Sequence, residues 1–491
     1  MDSGDTELQV SVWQAVLVLS HWGIGGTPQT GLHRMIMNKE PYQPVVPEQL
    51  DDINFLDSSL QNCPYHAYRM LRDEAPVWID PITGFYVISR FDDLRAVLLD
   101  SKRYSNDMRS DQGSSRERLD SERARRMYAL YEEKGWVPGA TLAGRDDPNH
   151  KQMRALFNEA FRPRKIDAMD PFVRDTAYRL MDTFVDQGRC DWVKQYAIPL
   201  PLIVIGQQMG VPEKDIWQIK RWTDAWVQRL GMMQTEAEEQ WSVEMEIQAQ
   251  HYFQTIFERL RREPDETLLS DLVNQVIPEW GRTLTDNELH AETMADTFVG
   301  GSETTTNAIA YGIKLLIENP QVWLQLKSDP ERYLRGFCEE VVRLEGPVQG
   351  LFRLAVTDIE LHGVTIPKGA MINIRYAAAN RDERAFEDPA EINLERVKPG
   401  RHLGFGSGVH HCLGAPLARR ELYWAFHALC SRIEDMRFVE GKNSFEVAPN
   451  YSLRALKELH IEFDAKPLEN RIDPSSSVGS KATVIGNPAE D

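Results

Sequence analysis

The pattern of apolar and polar positions predicts a mainly helical chain with a minor β portion. Residues 84–89 (GFYVIS) are rich in β-branched and aromatic side chains and predict a strand. Residues 92–99 begin with acidic side chains and continue with helical spacing, which predicts a helix. Residues 140–345 have long helical periodicity and few glycines, and residues 358–369 predict a strand, a turn and a second strand.

The two ends of the 491-residue chain differ from the part between them. A prior of about 150 residues per domain suggests about three domains, but the motifs below favour a single domain over residues 37–466. Residues 1–36 are expected to be an extension that is either disordered or an artefact of the assigned start. Residues 467–491 are rich in Ser, Gly, Pro and charge, and we expect a disordered tail there.

Composition narrows the classes of partner. Lys and Arg total 56 and Asp and Glu total 75, a net charge of −19, so general affinity for nucleic acid or anionic lipid is not expected. The apolar stretch at residues 10–24 is shorter than the ~20 residues of a membrane-spanning helix and follows acidic side chains, so neither an anchor nor a signal peptide is expected. The five cysteines are widely spaced without a CxxC pair, which favours a reducing cytoplasm over a disulfide framework.

A glycine-rich segment at residues 402–416 (HLGFGSGVHHCLGAP), which we call the cysteine loop, has the clearest chemical signal. Three glycines precede Cys412 and allow the backbone to approach a flat object closely. A proline that suits the first turn of a helix follows, so Cys412 is expected near a helix N-terminus, where the dipole and free N–H groups favour thiolate. His411 stands where a dinucleotide-binding loop needs a third glycine, and contiguous His410, His411 and Cys412 lack zinc-ligand spacing.

The pattern Phe-Gly-x-Gly-x-His-x-Cys-x-Gly in this segment resembles that of the cytochrome P450 superfamily, and each fixed position is matched. The resemblance extends over residues 40–465. It implies a haem-thiolate monooxygenase of the soluble bacterial type, with haem b between a long distal helix and a proximal cysteine loop. It also implies Cys412 as the proximal iron ligand and His410 as a contact of a haem propionate. The further cofactor-binding residues that it implies in this segment are Phe405, Gly406 and Gly414.

Two charged side chains three residues apart, Glu340 and Arg343, share one face of a predicted helix. This spacing alone would indicate a surface ion pair. In this order it resembles the Glu-x-x-Arg element of the P450 family. The resemblance implies that Glu340, Arg343 and Arg396 form a buried structural triad, which holds the loop that presents Cys412.

Three basic residues outside the cysteine loop are further candidates for binding haem. His150 and Arg154 lie one helical turn apart and resemble the family's propionate-binding helix, and Arg353 matches a third donor position. Haem propionates need hydrogen-bond donors when they are partly buried. The alternative for each residue is a solvated surface charge.

The segment at residues 298–307 (FVGGSETTTN) interrupts an otherwise good helical pattern with two glycines and three β-branched residues, which predicts a local distortion. It resembles the family's acid–alcohol element, which implies Glu303 as the acid and Thr304 as the hydroxyl that relays protons to bound oxygen. Family members that use peroxide typically lack this pair, so we expect use of O2.

No flavin- or nicotinamide-binding pattern is visible in the sequence. Electrons are therefore expected from separate proteins, which for soluble relatives are typically a ferredoxin and its reductase. Arg401, Arg419 and Arg420 flank the cysteine loop and are candidates for a basic docking patch on an otherwise acidic protein. We expect a cytoplasmic monomer.

The expected substrate is an apolar small molecule, because the residues that the resemblance assigns to the pocket are mostly apolar. Ordinary core packing is the alternative for each of them. The segment at residues 106–139 is expected to cap the pocket. The pocket candidates are Met294, Ala295, Phe298, Val299, Val348, Leu351, Phe352, Tyr451 and Leu453.

Two other classes of function are weighed against the monooxygenase. A haem-based gas sensor or electron carrier would have no need for Glu303 and Thr304. A cysteine enzyme without haem would need a base beside Cys412, and the adjacent His411 is poorly placed for that role. A red-shifted Soret band of the reduced, CO-bound protein would distinguish the monooxygenase from both.

Overall fold

The computed structural model describes residues 46–108 and 122–471. The expected N-terminal extension, residues 1–36, lies outside the described residues, as does the expected tail from residue 472 onward. Within the described ranges, no helix is both long and apolar enough to cross a membrane.

Helices make up most of the described structure. In the first half they are α1 (Ser58–Asn62), α2 (Tyr65–Glu74), α3 (Phe91–Leu99), α4 (Glu122–Lys134), α5 (Asn149–Ala160), α6 (Pro163–Asp182), α7 (Pro199–Gln208) and α8 (Ile216–Leu230). In the second half they are α9 (Glu236–Arg262), α10 (Leu268–Asn274), α11 (Asp286–Ala291), α12 (Thr304–Glu318), α13 (Pro320–Ser328), α14 (Pro330–Leu344), α15 (Tyr376–Ala379) and α16 (Ala415–Arg432).

The strands form three small sheets. They are β1 (Val77–Ile79), β2 (Tyr86–Ile88), β3 (Tyr104–Ser105), β4 (Arg189–Asp191), β5 (Leu351–Ala355), β6 (Ile359–Leu361), β7 (Val364–Ile366), β8 (Met371–Ile374), β9 (Ile433–Phe438) and β10 (His460–Ala465). The largest sheet has the order β1-β2-β8-β5-β3, in which only β2 and β8 are parallel, and a second sheet has the order β4-β10-β9. Strands β6 and β7 form a separate hairpin.

One long helix runs through the protein between residues 286 and 318. It consists of α11, a π-helical segment (Glu292–Glu303) and α12 without a break, and we call it the central helix. It begins with a capping box, because the Thr285 side chain accepts a hydrogen bond from the Glu288 N–H and the Glu288 carboxylate accepts one from the Thr285 N–H. The distortion predicted near its glycines is present as the π-helical segment.

The core packs around the central helix. Helix α7 is buried on nearly every side and lies against the π-helical segment, which explains its uniformly apolar sequence. Helix α16, which follows the cysteine loop, packs against α12 so closely at Gly312 that a Cβ there would lie 2.2 Å from the Phe426 ring. This contact fixes the cysteine loop relative to the central helix.

The local elements predicted from the sequence are confirmed. Strand β2 lies within residues 84–89, helix α3 covers residues 92–99, and β6 and β7 form the predicted pair of strands. The hairpin turns at His362 and Gly363, whose φ angles are +51° and +78°. The architecture is mainly α with a minor β portion, as predicted.

Candidate active site

The cysteine loop is held in shape by backbone contacts. The Cys412 N–H donates to the Phe405 carbonyl at 2.8 Å, which closes the loop on itself. Gly406 and Gly408 both have φ of +70°, a conformation that other residues rarely adopt. A Cβ at Gly408 would also lie 2.3 Å from the Leu98 carbonyl oxygen at the end of α3. Glycine is therefore required at Gly408 for two independent reasons.

The Cys412 side chain is exposed at the loop surface, although protein surrounds it on its other sides. Burial raises the pKa of the Cys412 thiol, while the N–H groups of Gly414 and Ala415 at the start of α16, followed by Arg419 and Arg154, act to lower it. A Cβ at Gly414 would lie 4.0 Å from Cys412 Sγ. The donors at the helix start are thus aimed at the sulfur, which suits a thiolate ligand.

Two imidazoles meet beside the cysteine loop. The rings of His150, on α5, and His410 have centroids 4.1 Å apart, and each has a buried Nε2 without a hydrogen-bond partner. Burial, followed by the charges around it, lowers the pKa of His410 to about 3, and burial also lowers that of His150. Two buried ring nitrogens without partners lie beside each other, and each can donate to an anionic ligand in the tautomer that carries the proton on Nε2.

The other two propionate candidates lie close to these imidazoles. Arg154 donates to the His411 carbonyl at 2.6 Å, and Arg353, which is 5% exposed, donates to the Phe352 carbonyl at 2.7 Å. Both are among the charges that lower the pKa of His410. Neither forms an ion pair with a carboxylate of the described residues. The sequence candidates for propionate binding are therefore gathered in one basic cluster, and this cluster fits haem.

Glu303 and Thr304 occupy the end of the π-helical segment. The Thr304 hydroxyl donates to the Gly300 carbonyl at 2.9 Å. Glu303 is buried, and its carboxylate accepts hydrogen bonds from Thr223 at 2.8 Å and from Lys220 at 3.0 Å and 3.2 Å. Burial acts to lower the pKa of Lys220, but Glu303 and Asp224 raise it above its ordinary value. Two side chains of α8 thus hold the carboxylate of Glu303, the acid of the pair, in place.

The structure brings together the three charged residues that the family resemblance implied as a triad. Arg343 donates to both carboxylate oxygens of Glu340, at 2.7 Å and 2.8 Å, and Arg396 Nε donates to Glu340 at 3.1 Å. Glu340 and Arg343 have no exposed surface. Arg343 also donates to the carbonyls of Asn380, Pro389 and Glu391, so the pair ties α14 to the segment that leads into the cysteine loop.

A second charged network under the cysteine loop was missed by the sequence analysis. Glu339 accepts hydrogen bonds from Arg419 at 2.6 Å and contacts His402 Nε2 at 2.9 Å. Burial acts to raise the pKa of Glu339, but these two partners lower it to about 2. The Arg419 guanidinium lies 4.5 Å from the centre of the Phe405 ring. No sequence signal links these residues, since 80 positions separate Glu339 from Arg419.

Each arginine of the expected docking patch has a contact within the protein. Arg419 is neutralised by Glu339, and Arg420 forms ion pairs with Asp167 and Asp170. Arg401 donates to the Ala385 carbonyl and lies over the Phe91 ring. Arg419 and Arg420 are thus paired with acidic side chains of α14 and α6, whereas Arg401 is exposed, and the docking role of these arginines stays a prediction.

The pocket candidates divide into two groups. Met294 and Phe298 lie in the hydrophobic core, 1% and 0% exposed, and the Phe298 ring packs on Phe253 with centroids 5.4 Å apart. The structure therefore places both side chains in the hydrophobic core, with the Phe298 ring against α9. The remaining central-helix candidates, Ala295 and Val299, are also buried.

The candidates on the sheet side lie near one another. The rings of Phe352 and Tyr451 are stacked with centroids 5.9 Å apart, and Val348 pairs with Leu453 through the backbone. Val348, Leu351 and Phe352 are half-buried, whereas Tyr451 and Leu453 are buried. Part of the segment expected to cap the pocket, residues 109–121, lies outside the described residues, and α4 lies within the described part of that segment.

Known proteins share this sequence and fold. A cytochrome P450 family model matches residues 214–434. The polyketide biosynthesis cytochrome P450 PksS of Bacillus subtilis is 31% identical over 405 residues, which cover 81% of this chain and 95% of that protein. The monooxygenase PikC of Streptomyces venezuelae is 32% identical over 419 residues, 84% of this chain and 94% of that protein.

Solved structures agree with these relatives. The structure of CYP109E1 from Bacillus megaterium in complex with testosterone has a TM-score of 0.70 at 30% identity, covering 83% of this chain and 99% of that chain. The structure of PksS has a TM-score of 0.71 at 29% identity. The chain therefore belongs to the cytochrome P450 monooxygenase family, whose members bind haem b through a cysteine thiolate.

Proposed function

We propose that this protein inserts one atom of O2 into a largely apolar small molecule, with electrons from separate redox proteins. The observation that carries the proposal is the Glu303–Thr304 pair at the end of the π-helical segment, next to the exposed Gly300. Haem, when bound, supplies an iron at which O2 is activated by electrons and protons. An alcohol beside a carboxylate can deliver those protons.

In this proposal Cys412 would bind the haem iron through its thiolate, and Phe405, Gly406 and Gly414 would contact the haem beside it. The basic cluster at His150, Arg154, Arg353 and His410 holds the propionates. The triad of Glu340, Arg343 and Arg396 keeps the loop in place. The haem-binding unit corresponds to residues 37–466 as a single domain.

Lys220 and Thr223 have a positioning role, because both hold the Glu303 carboxylate from α8. Glu303 can accept a proton from the solvent side and pass it to the Thr304 hydroxyl only if its carboxylate turns from Lys220 and Thr223 toward Thr304. The Thr304 hydroxyl donates to the Gly300 carbonyl, so it must rotate to donate toward bound oxygen. Bound oxygen would lie in the space between the central helix and the cysteine loop, which we call the haem cleft. These two side-chain movements constitute the proposed relay.

The comparisons bear on which part of a P450 system this chain resembles. The chain covers 100% of the solved PksS structure but only 54% of an intact self-sufficient P450 monooxygenase, at a TM-score of 0.76. The matched region therefore corresponds to the haem-binding part. A ferredoxin and its reductase are the proposed electron donors, and a cytoplasmic monomer is the proposed state of the protein.

The reaction class is tested by spectroscopy and by isotope labelling. The reduced protein under CO should show the red-shifted Soret band of thiolate ligation. Apolar molecules that shift the spin state of the iron should then be oxidised in the presence of a ferredoxin, its reductase and labelled O2. The product should contain one labelled oxygen atom. A product whose oxygen comes from water, or one formed only with added peroxide, would contradict the proposal.

Thr304→Ala tests the proton relay. Without the hydroxyl, reductant consumption should continue while product falls and hydrogen peroxide rises, and the CO spectrum should stay normal. Ser302→Ala and Thr306→Ala are matched controls, since both side chains are buried away from the exposed side of the helix. They should uncouple the reaction less. Full coupling in Thr304→Ala would show that another group carries the proton.

A further inference from the structure

The central helix has one exposed stripe along its π-helical segment. Gly300 is exposed, and Asp296 and Thr304, four residues to either side, are half-buried. Met294 and Phe298 on the other sides are packed in the core. The side that contains Thr304 faces the haem cleft in the proposed function, so Asp296 is a charged side chain on the cleft side of this helix.

A second carboxylate lies next to Asp296. The N–H groups of two consecutive residues, Leu142 and Ala143, donate to Glu292 and to Asp296 respectively, the latter at 2.8 Å. Because the two donors are neighbours in the chain and the two acids are one turn apart, the carboxylates lie side by side. Glu292 has no exposed surface, and its Oε2 has no hydrogen-bond partner.

Neither carboxylate has a cationic partner among the described residues. The nearby Arg145 is paired with Glu288 at 2.9 Å, and Glu288 is also paired with Arg282 at 2.7 Å. Burial raises the pKa of the Glu292 and Asp296 carboxyls, and the negative charge of Asp296 raises that of Glu292 further. Glu292 therefore favours its neutral form, whereas Asp296 is half-buried and carries the negative charge of the pair, which a positive group beside it would stabilise.

We propose that Asp296 binds a cationic nitrogen, a protonated or quaternary amine, on an otherwise apolar substrate. Glu292 is the buried neighbouring acid that favours its neutral form, so the negative charge of the pair is assigned to Asp296. A metal ion is disfavoured because two N–H donors already point at the carboxylates, and the described residues contain no group of side chains suited to hold one. The inference rests on the proposed function, since it names the substrate class of the same cleft.

The test uses the haem-loaded protein and three probes that share one alkyl chain: decyltrimethylammonium, 1-decanol and decanoate. A quaternary ammonium cannot bind iron, so its spectral shift reports binding in the cleft alone. The dissociation constant of the cation should be at least tenfold lower than that of 1-decanol, because a charged pair in a desolvated site is strong. Decanoate should bind most weakly. A cation that binds no more tightly than 1-decanol, or does not bind, overturns the proposal.

Three variants locate the effect. Asp296→Asn should weaken binding of decyltrimethylammonium about tenfold or more and leave binding of 1-decanol unchanged. Glu292→Gln replaces a neutral carboxyl by a neutral amide and should leave the binding of both probes nearly unchanged. Glu318→Gln removes one negative charge from the exposed end of the same helix and should change the dissociation constant of neither probe. If Asp296→Asn binds the cation as tightly as the wild type, the assignment is wrong. The CO spectrum separates this failure from that of the proposed function, because a normal thiolate band keeps the reaction class intact.

Discussion

Replacing Glu340 with alanine tests how the cysteine loop is supported. Glu340 accepts from Arg343 at 2.7 Å and 2.8 Å, from Arg396 at 3.1 Å and from the Asn393 N–H at 3.0 Å. The substitution leaves two buried guanidinium groups without their anion, although Arg343 keeps its backbone acceptors. Removing one partner of a buried ion pair costs about 3–5 kcal/mol. Because total stabilities are about 5–15 kcal/mol, this loss is a large fraction of the whole.

The assay is urea unfolding of the purified protein, followed by far-UV circular dichroism, together with the haem content per chain. Arg332→Ala is the matched control, because Arg332 lies on the same helix but its partner Glu395 is exposed, so the cost should be ~0–1 kcal/mol. Glu340→Gln keeps the shape of the side chain and one oxygen acceptor. Its loss of unfolding free energy should therefore fall between those of Glu340→Ala and Arg332→Ala. If Glu340→Ala unfolds at the same urea concentration as Arg332→Ala and keeps its full haem content, Glu340 does not support the cysteine loop.

Three further predictions concern the site and its surroundings. Cys412→Ser should lose the red-shifted CO band, and a variant that keeps it would rule out this ligand. Lys220→Met should slow product formation while the CO spectrum stays normal, because Glu303 loses the cation that orients it; unchanged turnover would remove Lys220 from the relay. Burial raises the pKa of Glu421 from 4.5 to about 8, opposed by a hydrogen bond from Thr305. The folded protein therefore favours the neutral form of the Glu421 carboxyl. The contribution of Glu421 to the free energy of unfolding is full below about pH 4.5 and is lost as the pH rises toward 8, by a few kcal/mol in total. Glu421→Gln should show a flatter dependence of unfolding free energy between pH 5 and 9, and parallel curves for the two proteins would contradict this.

Local features of this protein were well predicted because they depend on neighbouring residues. The hairpin at His362 and Gly363 and the helix after Cys412 follow from turn and helix-start chemistry, which acts within a few positions. The pairing of Glu340 with Arg396 spans 56 positions and was accessible only through the resemblance to a family.

The contacts that could not be predicted join distant parts of the chain. Lys220 and Glu303 are 83 positions apart, and nothing in the local sequence of either residue signals the other. The resemblance assigned Met294 and Phe298 to the pocket, and the structure places both side chains in the hydrophobic core. A resemblance aligns positions along the chain, and it does not show which way each side chain points on a π-helical segment.

The contact between Arg154 and the His411 carbonyl has a consequence for how the protein is made. It joins residues 257 positions apart, and the basic cluster around it takes members from α5, β5 and the cysteine loop. Contacts of such long range form slowly, because closing a long loop costs entropy before any contact forms. Synthesis runs from the N-terminus, so α5 and the central helix leave the ribosome well before Cys412. Haem insertion is therefore a late event, and nascent chains must keep their apolar faces from aggregating until the last third of the sequence arrives.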